Sequence, residues 1–250
     1  MMSYFLYNAK KVFYRQVGRG RPVVFLHGNA ASSGMFELLL PLYQEHFTVI
    51  LVDFLGHGQS DRLEQFPADL WYDEGLQTAA LLEHLGRPKA DLVGTSGGAI
   101  AALNAALERP DLIGRVVADS FEGRTLYPDF AENLLTERAF ARRDANSRLF
   151  YEWCHGRDWA RIVDQDTQAL VRFARSGLPL FRRPLDTLQN PLLLMGSRQD
   201  DMIPDPLEEY LQIKSQVRRC WVHVFETGGH PAIASNAEEA AEIIVRFLNR

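Results

Sequence analysis

Two cysteines, Cys154 and Cys220, are all that 250 residues hold. They lie far apart and in no C-x-x-C spacing, so neither a disulfide framework nor a zinc site is indicated, and both read as small core or surface thiols. No metal is expected. No apolar run approaches the ~18 to 20 residues of a membrane span, and Met1 to Lys11 lacks the basic-then-apolar order of a secretory signal. A membrane partner is therefore not expected, and a cytoplasmic location is. Positive charge is also in short supply: 27 Lys and Arg against 32 Asp and Glu leave a net charge of −5, and no basic cluster is interleaved with aromatics. That composition argues against nucleic acid as a partner. Internal repeats and low-complexity segments are missing as well. The 46% hydrophobic and 24% charged residues match a folded soluble protein, and the length suits one α/β domain carrying an insertion.

Against this plain background the apolar runs are regular. Tyr4 to Gly18 alternates like a hairpin, and Gly18-Arg19-Gly20-Arg21-Pro22 turns the chain into Val23-Val24-Phe25-Leu26, a buried strand. A helix is expected from about Ser33 to Gln44, then a strand over Thr48 to Val52, continuous and β-branched as in a parallel sheet covered on both faces. Leu70 to Leu85 carries helical spacing and ends at Gly86, a C-terminal stop. Ala90 to Val93 predicts a strand, Ala99 to Arg109 a helix ended by Pro110, and Arg115 to Asp119 another strand. Strands separated by helices of this length imply right-handed crossovers and a mostly parallel, twisted sheet with helices on both faces.

The rhythm breaks between residues 121 and 190, which have helical character and no convincing strand. This reads as a helical cap inserted into a core made of residues 1–120 and 191–250. The stretch holds ten of the 27 aromatic residues, either as the lining of an apolar pocket or as the packing of a small helical layer. Its 11 arginines face ten acidic residues, the balance of a solvated helical exterior. Strands at Pro191 to Met195 and Trp221 to Phe225 follow, with helices near Pro206 to Val217 and over Ala237 to Leu248.

Chemistry concentrates at strand ends. Gly94-Thr95-Ser96-Gly97-Gly98 places a serine between a strand and a helix with glycines two residues to either side, the arrangement of a nucleophile elbow. A serine hydroxyl needs a base within hydrogen-bond reach, and the base needs a partner that fixes its tautomer. His230, in Gly228-Gly229-His230-Pro231 after the Trp221 to Phe225 strand, is the candidate base. Asp200, just after the Pro191 to Met195 strand, is the candidate acid. The order serine, acid, histidine is the diagnostic one. An oxyanion would be met by backbone amides, assigned to Asn29, in Phe25-Leu26-His27-Gly28-Asn29, and to Gly97.

Together with the turn Asp53-Phe54-Leu55-Gly56-His57-Gly58-Gln59-Ser60, these segments make the chain resemble the α/β-hydrolase superfamily over nearly its full length. The resemblance implies the α/β-hydrolase fold, nucleophile Ser96, base His230 and orienting acid Asp200, with no cofactor. The superfamily's spacing from acid to the following Pro204 favours Asp200, with Asp201 as the neighbouring alternative. Serine at the elbow argues against the epoxide hydrolases and haloalkane dehalogenases, which resemble this pattern with an aspartate there. The expected activity is hydrolysis of a carboxylic ester or similar small acyl compound. C–C bond hydrolases, acyltransferases, cofactor-free haloperoxidases and hydroxynitrile lyases keep the serine arrangement and stay as alternatives, as does a small-molecule receptor on the same fold. The oligomeric state stays open.

The other candidates are structural. His27 and His57 are expected to shape the floor of the site, and Asp53 to bond loop backbone. His46, His84, His155 and His223 have no chemical neighbourhood in sequence and are assigned nothing.

Overall fold

The computed structural model describes residues 2–86 and 89–250. Eight strands form one sheet in the order β1-β2-β4-β3-β5-β6-β7-β8. The first hairpin, β1 (Met2–Tyr7) and β2 (Lys10–Gly18), is antiparallel, and β2 lies antiparallel to β4 (Phe47–Asp53). From there β3 (Arg21–Leu26), β5 (Ala90–Thr95), β6 (Ile113–Asp119), β7 (Leu192–Ser197) and β8 (Cys220–Phe225) run parallel.

The apolar runs explain why these strands are central. In β3, Val24 and Leu26 face one core layer while Val23 and Phe25 face the other, and all four are buried. The period-2 alternation of a strand thus puts every residue of such a run into one of two cores. On the first face lie α1 (Leu70–Leu85), α2 (Gly97–Glu108) and α6 (Leu207–Gln216), supplying Leu81, Ile100, Leu103 and Tyr210. On the second lie α7 (Ala232–Ser235) and α8 (Ala237–Leu248), supplying Ile233, Ile244 and Phe247. Each fully buried aliphatic side chain contributes about 1.5–3 kcal/mol relative to exposure.

Helix α1 ends at Gly86, which takes the left-handed conformation (φ 57°) that its missing Cβ permits. The expected helix from Ser33 to Gln44 is instead two short 3-10 turns, Ser33–Phe36 and Leu40–Leu42. Pro41 is the reason: it has no N–H to give and its ring crowds the carbonyl four residues back, so no α-helix passes through it.

Between β6 and β7 the chain forms α3 (Phe130–Ala141), α4 (Ala145–His155) and α5 (Trp159–Ser176). Phe173 on α5 packs edge-on against Trp71 of α1, centroids 5.0 Å apart, while Phe140 and Trp153 face solvent. The charged residues of this segment depart from a purely solvated exterior. Arg142–Asp164 and Arg161–Asp158 are surface pairs, but Arg138 and Asp166 are buried, the aspartate completely. No helix of the described residues is long and apolar enough to cross a membrane.

Candidate active site

β5 stops at Thr95 and α2 begins at Gly97, leaving Ser96 at φ 55° and ψ −129°. For a residue with a Cβ such a backbone costs about 1–3 kcal/mol and persists only where its surroundings over-determine it. Two hydrogen bonds hold it: the Ser96 N–H donates to the Asp119 carbonyl at 2.8 Å, and the Ala99 N–H to the Ser96 carbonyl at 2.9 Å. The glycines give the turn room. A Cβ on Gly94 would lie 2.1 Å from the Gly98 carbonyl oxygen, and one on Gly98 would lie 2.2 Å from that of Leu26. Gly98→Ala should therefore push the elbow off β3 and lower stability by on the order of 3 kcal/mol. Gly86→Ala, with nothing within 4 Å among the described residues, should cost only about 1 kcal/mol for its left-handed φ. Thermal melts of the two variants check the contrast; equal melting points would mean that the elbow does not need its glycine.

His230 follows β8. Its Nδ1 lies 2.9 Å from Asp200 Oδ2, with the histidine side chain 10% exposed and the aspartate 1%. The other carboxylate oxygen, Asp200 Oδ1, accepts the Met202 and Ile203 N–H groups, each at 2.9 Å. Asp201 does a different job, accepting the His230 backbone N–H at 2.9 Å. A carboxylate on Nδ1 puts the proton there and leaves Nε2 free to act as a base. The histidine loop is fastened beyond Pro231, where the Ala232 N–H donates to Ser120 Oγ at 2.8 Å and the Ile233 N–H to Asp119 Oδ2 at 3.2 Å. Asp119 thus meets the serine turn with its carbonyl and the histidine loop with its carboxylate.

The electrostatics favour a charged imidazole. Burial works against the imidazolium, but the Asp200 hydrogen bond and the charges of Asp200, Asp119 and Glu122 outweigh it and hold the His230 pKa above its usual 6.5. Burial would raise Asp200, yet the His230 bond and charge and the two backbone amides keep it below the ordinary aspartate value. Burial lifts Asp119 to about 6 against the bonds from Thr95 and Ile233. Glu122, half-buried just past β6, is raised by burial and by Asp200, with His230 opposing. If neutral His230 is the base, kcat/KM falls as pH drops through a value above 6.5. Glu122→Gln removes one stabilising anion, so that acid limb should move to lower pH while the alkaline plateau stays within about twofold. A pH–rate profile of the two proteins checks it, and a limb that stays in place would detach Glu122 from His230.

The loop after β3 sits directly on the elbow. A Cβ on Gly28 would lie 3.0 Å from Ser96 Cβ and 3.5 Å from its Oγ, and one on Gly97 would lie 2.0 Å from Asn29 Oδ1. Trp71 Nε1 donates to that same Asn29 Oδ1 at 2.8 Å. Gly28 and the Asn29 side chain therefore lie against Ser96 and Gly97, and the Gly97 N–H opens α2, where the first amides have no intrahelical partner and the helix dipole favours negative charge.

The structure brings together Ser96 with Gly28, Asn29 and Gly97, and His230 with Asp200. No direct hydrogen bond joins Ser96 Oγ to the His230 ring among the described residues; such bonds are often long before substrate arrives. Asp53 binds loop backbone, taking the Ser33 N–H at 2.8 Å and the Gln59 N–H at 2.7 Å. His27 accepts the Phe54 N–H on Nε2 at 3.1 Å. Trp71, Asp166 and His155 were not singled out by the sequence. His155, which had no chemical neighbourhood there, is buried and accepts the Gly58 N–H on Nδ1 at 3.1 Å.

A mostly parallel sheet with a serine elbow at its carboxyl edge defines a class of α/β hydrolases. The chain belongs to the alpha/beta hydrolase family, which it matches over residues 23–243, and it is a hydrolase. It is 36% identical to the 2-(acetamidomethylene)succinate hydrolase of Mesorhizobium japonicum over 137 residues, 54% of this chain and 46% of that one. With the 2-hydroxymuconate semialdehyde hydrolase of Pseudomonas sp. CF600 it shares 27% identity over 92% of this chain and 88% of the other. Among solved structures, the esterase from Exiguobacterium antarcticum superposes with a TM-score of 0.78 at 20% identity, covering 100% of both chains, a likeness of fold.

Proposed function

We propose that the protein is a cofactor-independent serine hydrolase that cleaves a carboxylic ester or similar small acyl compound. The observation that carries this reading is the His230 Nδ1 to Asp200 Oδ2 bond of 2.9 Å at the sheet edge where Ser96 is held out of the strand. His230 Nε2 takes the Ser96 proton as Oγ attacks the acyl carbon, and the electron pair of the carbonyl moves to oxygen between the Asn29 and Gly97 amides. The tetrahedral intermediate collapses, the C–O bond breaks, and His230 passes the proton to the departing alkoxide. Water, deprotonated by the same nitrogen, then attacks the acyl-enzyme, and the acid leaves as Ser96 regains its proton. Residues 121–190 form a cap over residues 1–120 and 191–250, limiting the substrate to a small molecule.

A second reading is favoured by the Pseudomonas relative, which is aligned over 92% of this chain: the same serine and histidine could serve hydrolysis of a C–C bond beside a carbonyl. Steady-state turnover of p-nitrophenyl esters from acetate to decanoate, set beside loss of the 2-hydroxymuconate semialdehyde chromophore, separates the two. Higher kcat/KM on an ester supports ester cleavage and its chain-length optimum sizes the pocket. Higher kcat/KM on the semialdehyde overturns it in favour of the C–C reading.

A further inference from the structure

Ala30 has a φ of 51°, a left-handed conformation that residues with a Cβ disfavour. It is the third residue of the turn Gly28 to Ala31, closed by the Ala31 N–H on the Gly28 carbonyl at 3.2 Å. A hydrogen-bonded turn with positive φ at its third residue alone is the type II form, where glycine is the favoured occupant. Alanine stays there only if something holds it.

Two side chains from the helical segment between β6 and β7 do so. Asp166 of α5 is fully buried and its Oδ2 accepts the Ala30 N–H at 3.0 Å. His155, the last residue of α4, lies 2.9 Å through Nε2 from the Ala30 carbonyl oxygen. Its tautomer follows from its other contact: Nδ1 accepts the Gly58 N–H, so Nε2 carries the proton and donates it to Ala30. Burial and the nearby His57 push this imidazole down to about 4, so it stays neutral and keeps that tautomer near neutral pH. Asp166 is in turn approached by His57 Nε2 at 3.3 Å and by an Arg138 nitrogen at 3.8 Å, the compensation a buried carboxylate needs. The peptide planes on both sides of Ala30 are fixed, and the opposite side of the same turn lies against Ser96 and Gly97.

We propose that Asp166 and His155 are positioning residues: the helical segment clamps Ala30 from both sides and so sets the turn that aims the Asn29 amide at the oxyanion. This rests on the assignment of Asn29 as an oxyanion donor above. Transition-state stabilisation by a backbone amide depends on sub-ångström placement, so the seating of this segment and the rate of the chemical step become one property. Without the clamp Ala30 relaxes toward negative φ and the turn loses its single position over the elbow. Glycine at position 30 has no such preference.

The test compares wild type, Asp166→Ala, His155→Phe and the double variant Asp166→Ala, Ala30→Gly. Each is measured for kcat and KM on the best p-nitrophenyl ester and for binding of phenylboronic acid, which adds to a serine hydroxyl as a tetrahedral anion. Asp166→Ala should lose roughly 10- to 100-fold in kcat and a similar factor in boronate affinity, with KM within about threefold, and Ala30→Gly should restore at least part of both. His155→Phe reports the other arm of the clamp and stands in if Asp166→Ala does not fold. A wild-type kcat in a folded clamp variant, or a rise in KM with kcat unchanged, would overturn the clamp while leaving the hydrolase reading intact. A wild type that neither turns over an ester nor binds the boronate would instead overturn the reading beneath it.

Discussion

Ser96→Ala is expected to lower kcat for ester hydrolysis by on the order of 10⁵-fold, with the melting temperature within about 2 °C of wild type. The two halves of this expectation come from different atoms. Oγ supplies the bond to the acyl carbon, and the neighbouring Thr95 hydroxyl is buried and committed to Asp119 Oδ2 at 2.8 Å, so the loss approaches that of the whole machinery. The strain at φ 55° belongs to the backbone and Cβ, which alanine keeps, and the bonds through the Ser96 N–H and carbonyl do not involve the hydroxyl. Steady-state rates and a thermal melt on one preparation check both halves. Turnover within tenfold of wild type would exclude a Ser96 acyl-enzyme.

How much of this was legible in the sequence depended on the range of the interaction. Val23 to Leu26 and Thr48 to Val52 announce themselves because a strand buried on both faces must be apolar at every position, a property of the segment alone. Gly86 is legible for the same reason, since the end of α1 calls for a residue without a Cβ at that point. The stretch from Ser33 to Gln44 misleads because its leucines keep helical spacing while Pro41 forbids the helix, and local steric exclusion prevails over pattern. Ser96, His230 and Asp200 could be named because each follows a strand end in a set chain order. Ala30, His155 and Asp166 could not: the bonds to Ala30 span 125 and 136 positions, and nothing near His155 in sequence marks it as a donor. Trp71 fits the apolar stripe of α1 equally well whether or not its Nε1 reaches Asn29. Arg138 shows the converse, a residue whose composition suggested solvent but which lies buried with its guanidinium over the Tyr151 ring and bonded to the Tyr151 hydroxyl.

Asp200→Asn should cost roughly 10³- to 10⁴-fold in kcat, and Asp201→Asn less than about tenfold. The difference follows from which groups surround each carboxylate. Asp200 Oδ1 is fixed by two backbone donors, from Met202 and Ile203. An asparagine here must turn its carbonyl oxygen toward those amides, since the opposite orientation would set N–H against N–H. Its NH₂ then faces His230 Nδ1, which has to accept. The imidazole proton moves to Nε2, and the nitrogen that should take the Ser96 proton already carries one. The removal of the negative charge also ends the largest opposition to His230 desolvation, so the imidazolium of the transition state loses its counter-ion. Asp201 accepts the His230 backbone N–H, a bond that the carbonyl oxygen of asparagine can make without any change of tautomer. Rates of the two variants at one pH, followed by a pH profile of Asp200→Asn, check the argument. The reverse ranking would move the orienting acid by one residue and leave the 2.9 Å contact of Asp200 without a catalytic role.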